Sequence, residues 1–254
     1  MTQDELHGIR VLVTGATSGL GAAMAAALAT AGARVMVTGR DQARAEQAAK
    51  ELGPSAIASQ LDVRDERSVA ACVARARDAW EGIDMLVNNA GIGMRTVNPR
   101  FLSEPQGFWE VTPAGFRDVV ETKVVGCFLM AREVVPLMLR DGGGRIVNIS
   151  MNEETMVRRG FVPYGPAGAG VEALSRVMAA DLAGSSVTVN MLLPGGRGTA
   201  TGMVPDDVPA EVRARLQDPS VMGPPIVWLA SDQAAGVHDR RIVASEFDPA
   251  SAAP

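Results

Sequence analysis

TGATSGLG, residues 14–21, is the stretch that decides the fold, because it joins a strand-like segment to a helix-like one. The apolar run 11–13 before it is short and β-branched at its ends, as a buried parallel strand should be, and the alanine-rich segment 22–31 favours a helix. Gly15 and Gly19 can adopt backbone angles that are closed to other residues. Free N–H groups at the helix start then point at a phosphate. The stretch predicts a phosphate-binding turn, with an ordinary strand-to-helix turn as the alternative.

Composition and charge restrict the kinds of partner. With 254 residues, 47% hydrophobic and 21% charged, the chain can bury a full core as one α/β domain. A net charge of −5 and a pI near 5.2 argue against a nucleic-acid or membrane surface, so we expect a small-molecule partner. The start 1–10 lacks a signal-peptide pattern, no later run reaches membrane-spanning length, and Cys72 and Cys127 lie in helix-like segments. We expect a cytoplasmic protein without a disulfide framework or a metal site.

Strand-like and helix-like segments alternate along the rest of the chain. Strands are predicted at 11–13, 34–38, 56–61, 85–87, 145–149, 187–192 and 241–243, and helices at 22–31, 41–52, 66–80, 112–139 and 164–182. This alternation predicts parallel strands joined by right-handed crossovers, in a doubly wound α/β sheet of about seven strands with helices on both faces. We assign 1–254 to a single domain, and such a sheet binds its ligand at the carboxyl ends of the strands.

Six motifs follow one another at those strand ends. They are TGATSGLG at 14–21, Asp62-Val63, Asn88-Asn89-Ala90-Gly91, GRIVNIS at 144–150, Tyr164, and Pro194-Gly195 followed by Thr199 or Thr201. In these motifs the chain resembles the classical branch of the short-chain dehydrogenase/reductase superfamily over nearly its whole length. Each motif alone is weak evidence, whereas six in the right order are strong.

The resemblance implies a Rossmann-type domain that binds a nicotinamide dinucleotide. Asp62 and Val63 would flank the adenine, the segment 89–91 would line the ribose side, and Pro194 and Gly195 would abut the nicotinamide. For Asp62, capping of the next helix is the alternative reading.

The end of the second strand indicates which dinucleotide is bound. An acidic residue there would hold the adenine ribose 2′-hydroxyl and repel a 2′-phosphate. This chain has Gly39 at that place and Arg40 directly after it, and a guanidinium can bind a phosphate in bidentate fashion. NADP(H) is therefore favoured over NAD(H), with a solvated Arg40 as the alternative. The predicted cofactor-binding residues are Gly15, Thr17, Ser18, Gly19, Leu20, Gly21, Arg40, Asp62, Val63, Asn89, Ala90, Gly91, Pro194 and Gly195.

The chain departs from the family at the catalytic positions. The family uses a Tyr, a Lys four residues later, a Ser thirteen residues earlier and an Asn on the preceding long helix. Tyr164, the only tyrosine, is in place, but Gly168, Met151 and Lys123 occupy the other three positions. Ser150 stands one residue too early, and it would face away from Met151 if the strand continued through it.

Three hypotheses explain the departure. In the preferred one, Lys123 extends its ammonium toward the space that Gly168 leaves empty, and Asn152 supplies the polar contact of the missing Ser, so the catalytic candidates are Tyr164, Lys123 and Asn152. In the second, the protein binds nucleotide with little or no hydride transfer and has a regulatory or assembly role. In the third, Tyr164 and the residues around Met151 catalyse an isomerisation or elimination. The first is preferred because the cofactor motifs are intact.

The segment 92–111 is predicted to cover the substrate pocket, because it is long and starts at a strand end. Its apolar residues and those of 156–162 favour a hydrophobic carbonyl or alcohol substrate. Packing of the loop's aromatic residues on the loop itself or against a partner subunit is the alternative. Four arginines could meet an acidic group on the substrate: Arg95, Arg100, Arg158 and Arg159. The segment 198–218 reads as a substrate lid.

The two long helices 112–139 and 164–182 carry more apolar surface than one sheet face needs. We therefore predict a homo-oligomer with an isologous dimer interface, and the family resemblance implies a homotetramer. The segment 239–246 stands where the family has a glycine-rich ending, which puts the usual C-terminal contacts in doubt.

Overall fold

Seven parallel strands form one sheet in the computed structural model, which describes residues 5–196 and 198–252. Their order is β3-β2-β1-β4-β5-β6-β7. The strands are β1 Arg10–Val13, β2 Arg34–Gly39, β3 Ala56–Gln60, β4 Met85–Asn88, β5 Gly144–Ile149, β6 Val187–Leu193 and β7 Arg241–Val243. Every predicted strand is confirmed with its ends within one residue. The termini of the predicted domain 1–254 lie outside the described residues.

Helices connect the strands. They are α1 Gly19–Thr30, α2 Gln42–Leu52, α3 Glu66–Trp80, α4 Pro113–Val120, α5 Gly126–Arg140, α6 Glu153–Met156, α7 Tyr164–Asp181, α8 Ala210–Arg213, α9 Gly223–Ala230 and α10 Pro249–Ala252. Side-chain caps fix several starts: Asp41 accepts from the Arg44 amide at 3.1 Å, and Asp65 accepts from the Arg67 amide at 2.9 Å. None of the described helices is long and apolar enough to cross a membrane.

Alternate strand residues pack against opposite layers of helices. Val11 and Val13 of β1 join the core formed with α1 and α9, whereas Leu12 joins the core formed with α3, α5 and α7. Both cores are fully buried at these positions. The doubly wound sheet with helices on both faces is confirmed. The chain order reverses between β1 and β4, which places a ligand crevice at their carboxyl ends.

The predicted helix 112–139 is interrupted, which corrects the expectation of one α-helix. A π-helical turn, Glu121–Val125, separates α4 from α5 and carries Lys123 at its centre. Such a turn contains an extra residue and is frequent at functional sites. Because a π turn changes where the following side chains point, periodicity alone could not predict the direction of Lys123.

Candidate functional site

The glycine turn after β1 leaves a helix N-terminus open to an anion. Gly15 and Gly19 have positive φ angles of 63° and 57°, which other residues rarely adopt. Ser18 occupies the N-cap position of α1 but makes no side-chain capping bond, and the first turn contains no acidic residue. The first N–H groups of α1 are therefore available to bind a phosphate.

Residues behind the turn hold it in this shape. The side-chain amide of Asn89 donates to the carbonyls of Thr14 and Gly15 at 2.9 and 3.0 Å, and the Thr14 hydroxyl accepts from the amides of Asn89 and Ala90 at 2.9 Å. A Cβ on Gly21 would overlap the Gly15 carbonyl oxygen. Gly21 therefore packs behind the turn and does not line the cleft, and its predicted role in cofactor binding stays a prediction.

A cleft of about 1250 Å³ opens in front of this turn. Thirteen of the fourteen predicted cofactor-binding residues line it, all except Gly21. The three predicted catalytic residues, Tyr164, Lys123 and Asn152, line the same cleft. Pockets for drug-sized ligands are smaller, about 300–1000 Å³, so this one has room for a dinucleotide together with a substrate. The glycine turn and the catalytic candidates thus belong to one cleft.

At one end of the cleft, the acidic side chains are already engaged. Asp62 pairs with Arg64 at 2.7 Å, and the hydrogen bonds from Arg64 lower the pKa of that carboxyl. Because Asp65 caps α3, the capping alternative for Asp62 is wrong. Asp41 accepts the Arg44 amide as the cap of α2. Arg40 is exposed, lines the cleft and forms no ion pair within the described part of the chain.

At the other end, Tyr164 and Lys123 meet. Tyr164 is the first residue of α7, and the Lys123 ammonium lies 4.9 Å from the centroid of its ring. Burial raises the pKa of the Tyr164 hydroxyl above its ordinary value. Burial also lowers the pKa of Lys123 to about 8, because few groups around it replace the lost water.

Lys123 does not occupy the space beside Gly168, which corrects that part of the prediction. The Met151 thioether fills this space, and a Cβ on Gly168 would lie only 2.7 Å from its sulfur. Lys123 instead runs along Gly91, where its nitrogen would lie 3.6 Å from an added Cβ. The amine thus reaches the cleft beside the segment predicted to line the ribose.

An ion pair that the sequence did not reveal fixes the segment after β5. The strand ends at Ile149, so the predicted alternation of Ser150 and Met151 does not apply. The Ser150 hydroxyl donates to the Glu172 carboxylate, which also accepts from Arg241 Nε at 2.8 Å. Arg241 Nη2 donates to the Met151 carbonyl at 3.0 Å. The unusual C-terminal segment 239–246 was the only sequence signal for this network.

Asn152 connects two loops at the cleft. Its side-chain amide donates to the Gly196 carbonyl at 2.8 Å, which ties the segment after β5 to the segment after β6. The predicted polar contact to a substrate is not tested by this bond and stays a prediction.

The segment 92–111 covers the cleft only in part. Met94 and Phe101 are buried with Phe161 in a small apolar cluster against Tyr164, and the rings of Phe101 and Phe161 are 5.3 Å apart. The pair Phe108–Trp109 instead points outward, with 69% and 76% of the two residues exposed.

The segment 198–218 lies over the same end of the cleft. Arg95 holds it from the opposite wall by bonds to the carbonyls of Gly202 and Val204 and by a 2.7 Å ion pair with Asp206. The sulfur of Met203 lies 4.0 Å from the Tyr164 hydroxyl. The lid role of this segment stays a prediction.

Comparisons with known proteins show the family of this chain. The sequence model of the short chain dehydrogenase family matches residues 10–210. The chain is 33% identical over 236 residues to the 3-oxoacyl-(acyl-carrier-protein) reductase of Vibrio cholerae, covering 91% of this chain and 93% of that protein. It is similar to a 3-ketoacyl-(acyl-carrier-protein) reductase from Brucella melitensis complexed with NADH, with a TM-score of 0.82, 29% identity and coverage of 94% and 97%. It is also similar to a short chain dehydrogenase from Shigella flexneri 2a complexed with NADP, with a TM-score of 0.84, 25% identity and coverage of 96% and 100%.

Proposed function

Because this chain belongs to the short-chain dehydrogenase/reductase superfamily of oxidoreductases, we propose that it is an NADP(H)-dependent reductase of a hydrophobic carbonyl compound. The observation that carries the proposal is the placement of Lys123 and Tyr164 in the cleft that begins at the glycine turn. Both groups needed for proton transfer, an acid and a cation beside it, are present although the family positions 151 and 168 hold other residues.

The residues present fit the cofactor. The open N-terminus of α1 would bind the pyrophosphate, Asp62 and Val63 would contact the adenine, and Pro194 and Gly195 would adjoin the nicotinamide. When bound, the nicotinamide supplies the hydride.

Preference for NADP(H) is argued from the charges near Arg40. The carboxylates of Asp41 and Asp62 already have partners, the α2 cap and Arg64 respectively, which reduces their availability to a ribose hydroxyl. Arg40 and Arg44 both line the cleft and can attract a 2′-phosphate. Relatives of known structure bind either nucleotide, one with NADH and one with NADP, so this choice depends on the local residues.

The raised pKa of Tyr164 favours the reductive direction. At neutral pH the hydroxyl keeps its proton, which it can donate to the oxygen of a carbonyl as the reaction proceeds. Lys123 is largely charged below pH 8, and its ammonium stabilises the negative charge that develops on the tyrosine oxygen. Such acid–base assistance contributes about 10² to 10⁴ in rate.

A nucleotide-binding protein with little turnover is the second candidate. Two observations favour it: Met151 brings a thioether to the position of the family's Ser, and Met203 packs against the Tyr164 hydroxyl. In this case NADPH binds but no carbonyl is reduced.

A carbonyl panel separates the two candidates. We expect NADPH oxidation with hydrophobic ketones, and we expect it to be lost in Lys123→Met and Tyr164→Phe while NADPH still binds. Lys50→Met is the matched control, since Lys50 lies on exposed α2 and is the only other lysine. Saturable NADPH binding without oxidation of any panel member would favour the second candidate. Full activity of Lys123→Met would contradict the proposed role of the lysine.

The predicted oligomer is proposed on the exposed apolar side chains of two adjoining helical segments. Phe116, Val125 and Phe128 on α4–α5 and Val177 on α7 are 38–57% exposed. Other apolar residues of the predicted helix 112–139, including Val119 and Val134, are core residues. The smaller exposed set still supports an isologous dimer.

A further inference from the structure

The substrate end of the cleft contains an arginine side chain that none of the described residues engages in an ion pair. Two arginines suggested for an acidic substrate group are engaged elsewhere, since Arg95 pairs with Asp206 and Arg100 pairs with Glu104 at 2.8 Å. Arg158 lines the cleft and makes no ion pair within residues 5–196 and 198–252. This side chain can therefore bind an anion without breaking an existing salt bridge.

Arg158 is held on an aromatic surface. Its guanidinium carbon lies 4.9 Å from the centroid of the Phe161 ring, and Phe161 is 6% exposed. The same ring belongs to the apolar cluster that packs against Tyr164. Stacking on a ring orients a guanidinium while its N–H groups stay free to donate in the plane of the group. The Phe161 ring thus connects this fork of donors to the apolar cluster that packs against Tyr164.

We propose that Arg158 binds a carboxylate on the substrate, joined to the reacting carbonyl by an apolar spacer about as wide as one aromatic ring. The inference rests on the proposed reductase function of this cleft and names its substrate class, an oxo acid. A planar carboxylate matches the fork in bidentate fashion, and the apolar cluster of Met94, Phe101 and Phe161 suits the spacer.

Acidic residues nearby limit where the carboxylate can lie. Asp207 accepts from the Ser103 hydroxyl at 2.6 Å, and Glu154 lines the cleft on α6. Glu154 repels an anion in front of α6, so the carboxylate is directed to Arg158 above Phe161. Glu154→Gln should therefore leave the preference for a carboxylate intact or increase it.

The test uses 4-acetylbenzoate and its methyl ester, which differ in charge and by one methyl group and have a ring between ketone and carboxyl group. Binding is measured by calorimetry with and without NADPH, and reduction by initial rates. We expect the carboxylate to bind roughly tenfold tighter, through KM rather than kcat, as for a well-oriented Arg–carboxylate pair. Arg158→Gln should remove this preference and leave the ester unaffected, while Arg158→Lys keeps part of it. Arg159→Gln is the control, since Arg159 is exposed and outside the cleft lining.

The outcomes separate the inference from the function on which it rests. No binding of the carboxylate, equal binding of both compounds, or an equal loss of both in Arg158→Gln would overturn the carboxylate site. A preference that depends on Arg158 in calorimetry, without NADPH oxidation, would keep that site and remove the reductase function. Reduction of both compounds with equal kcat/KM would keep the reductase function and overturn the carboxylate site.

Discussion

Replacing Lys123 by Met tests whether the amine is held in the cleft against its preference for water. Met keeps an apolar stem of similar length and removes only the charge. The protein contains two lysines, and Lys50 is exposed on α2, so Lys50→Met is a matched control. We expect Lys123 to cost stability while it supports the proposed turnover.

The size of this cost follows from the pKa of Lys123. A fall from the ordinary 10.5 to about 8 corresponds to roughly 3 kcal/mol. Because the side chain is only half-buried and the cleft admits water, we expect about 1–2 kcal/mol. The folded state releases its proton first, so the unfolded state holds more protons between pH 8 and 10.5 and stability rises with pH there. The cost is fully present below pH 8.

Two measurements check this prediction. In protein labelled with ¹³C at the lysine ε-carbon, one signal should titrate with a midpoint near pH 8, and Lys123→Met should remove that signal. In urea unfolding at pH 7, the free energy of unfolding of Lys123→Met should exceed that of the wild type by about 1–2 kcal/mol. This difference should shrink as the pH rises through 8 to 10.5. Lys50→Met should leave both the signal with the midpoint near pH 8 and the free energy of unfolding unchanged.

The absence of a signal that has a midpoint near pH 8 and that Lys123→Met removes would refute the reasoning. It would mean that the Lys123 amine remains hydrated and does not lie over the Tyr164 ring. A stability difference between Lys123→Met and the wild type that does not depend on pH would also contradict a buried amine, because a difference in packing alone does not change with pH.

Three further substitutions have defined outcomes. Arg40→Asp should weaken NADPH at least roughly tenfold more than NADH in fluorescence titrations, because a repelling carboxylate replaces a 2′-phosphate ligand, and equal losses would remove the case for NADP(H). Gly168→Lys should lower the free energy of unfolding in urea by about 1–3 kcal/mol, because its Cβ meets the thioether of Met151. Adding Met151→Ser should restore most of this loss, whereas additive losses would contradict the packing. Arg95→Ala should speed limited proteolysis within 198–218, and an unchanged rate would show that its bonds do not hold this segment.

The fold could be predicted because its signals are local. Short apolar runs separated by amphipathic segments define all seven strands, and glycine at 15 and 19 marks the turn where α1 must start. The long helix was the exception. Whether the extra residue of the π turn at 121–125 forms depends on packing against α7, which no local pattern records.

The site was predictable where one residue type is required at one place. The glycine turn, Arg40 and Tyr164 all line the cleft as expected. Contacts that join distant parts of the chain were not predictable. Met151 filling the gap beside Gly168 depends on the conformation of a flexible thioether, and no sequence rule states it.

Charge pairing showed the same limit. The sequence suggested four arginines for the substrate, but only the fold shows that Arg95 and Arg100 are paired while Arg158 lies on an aromatic ring. The pair of Glu172 with Arg241 joins residues 69 positions apart and was missed for the same reason. Residue type defines what a side chain can do, whereas tertiary neighbours decide what it does.

Ser18→Glu offers the most direct test that the first strand-to-helix turn binds the cofactor's phosphates. A carboxylate at this exposed N-cap suits the dipole of α1, so folding should be retained, but it places negative charge where the pyrophosphate would bind. Calorimetric titration with NADPH should give saturable binding to the wild type and at least roughly tenfold weaker binding to Ser18→Glu, at equal thermal stability. No binding of NADPH to the wild type, or equal affinities of the two proteins, would contradict the account.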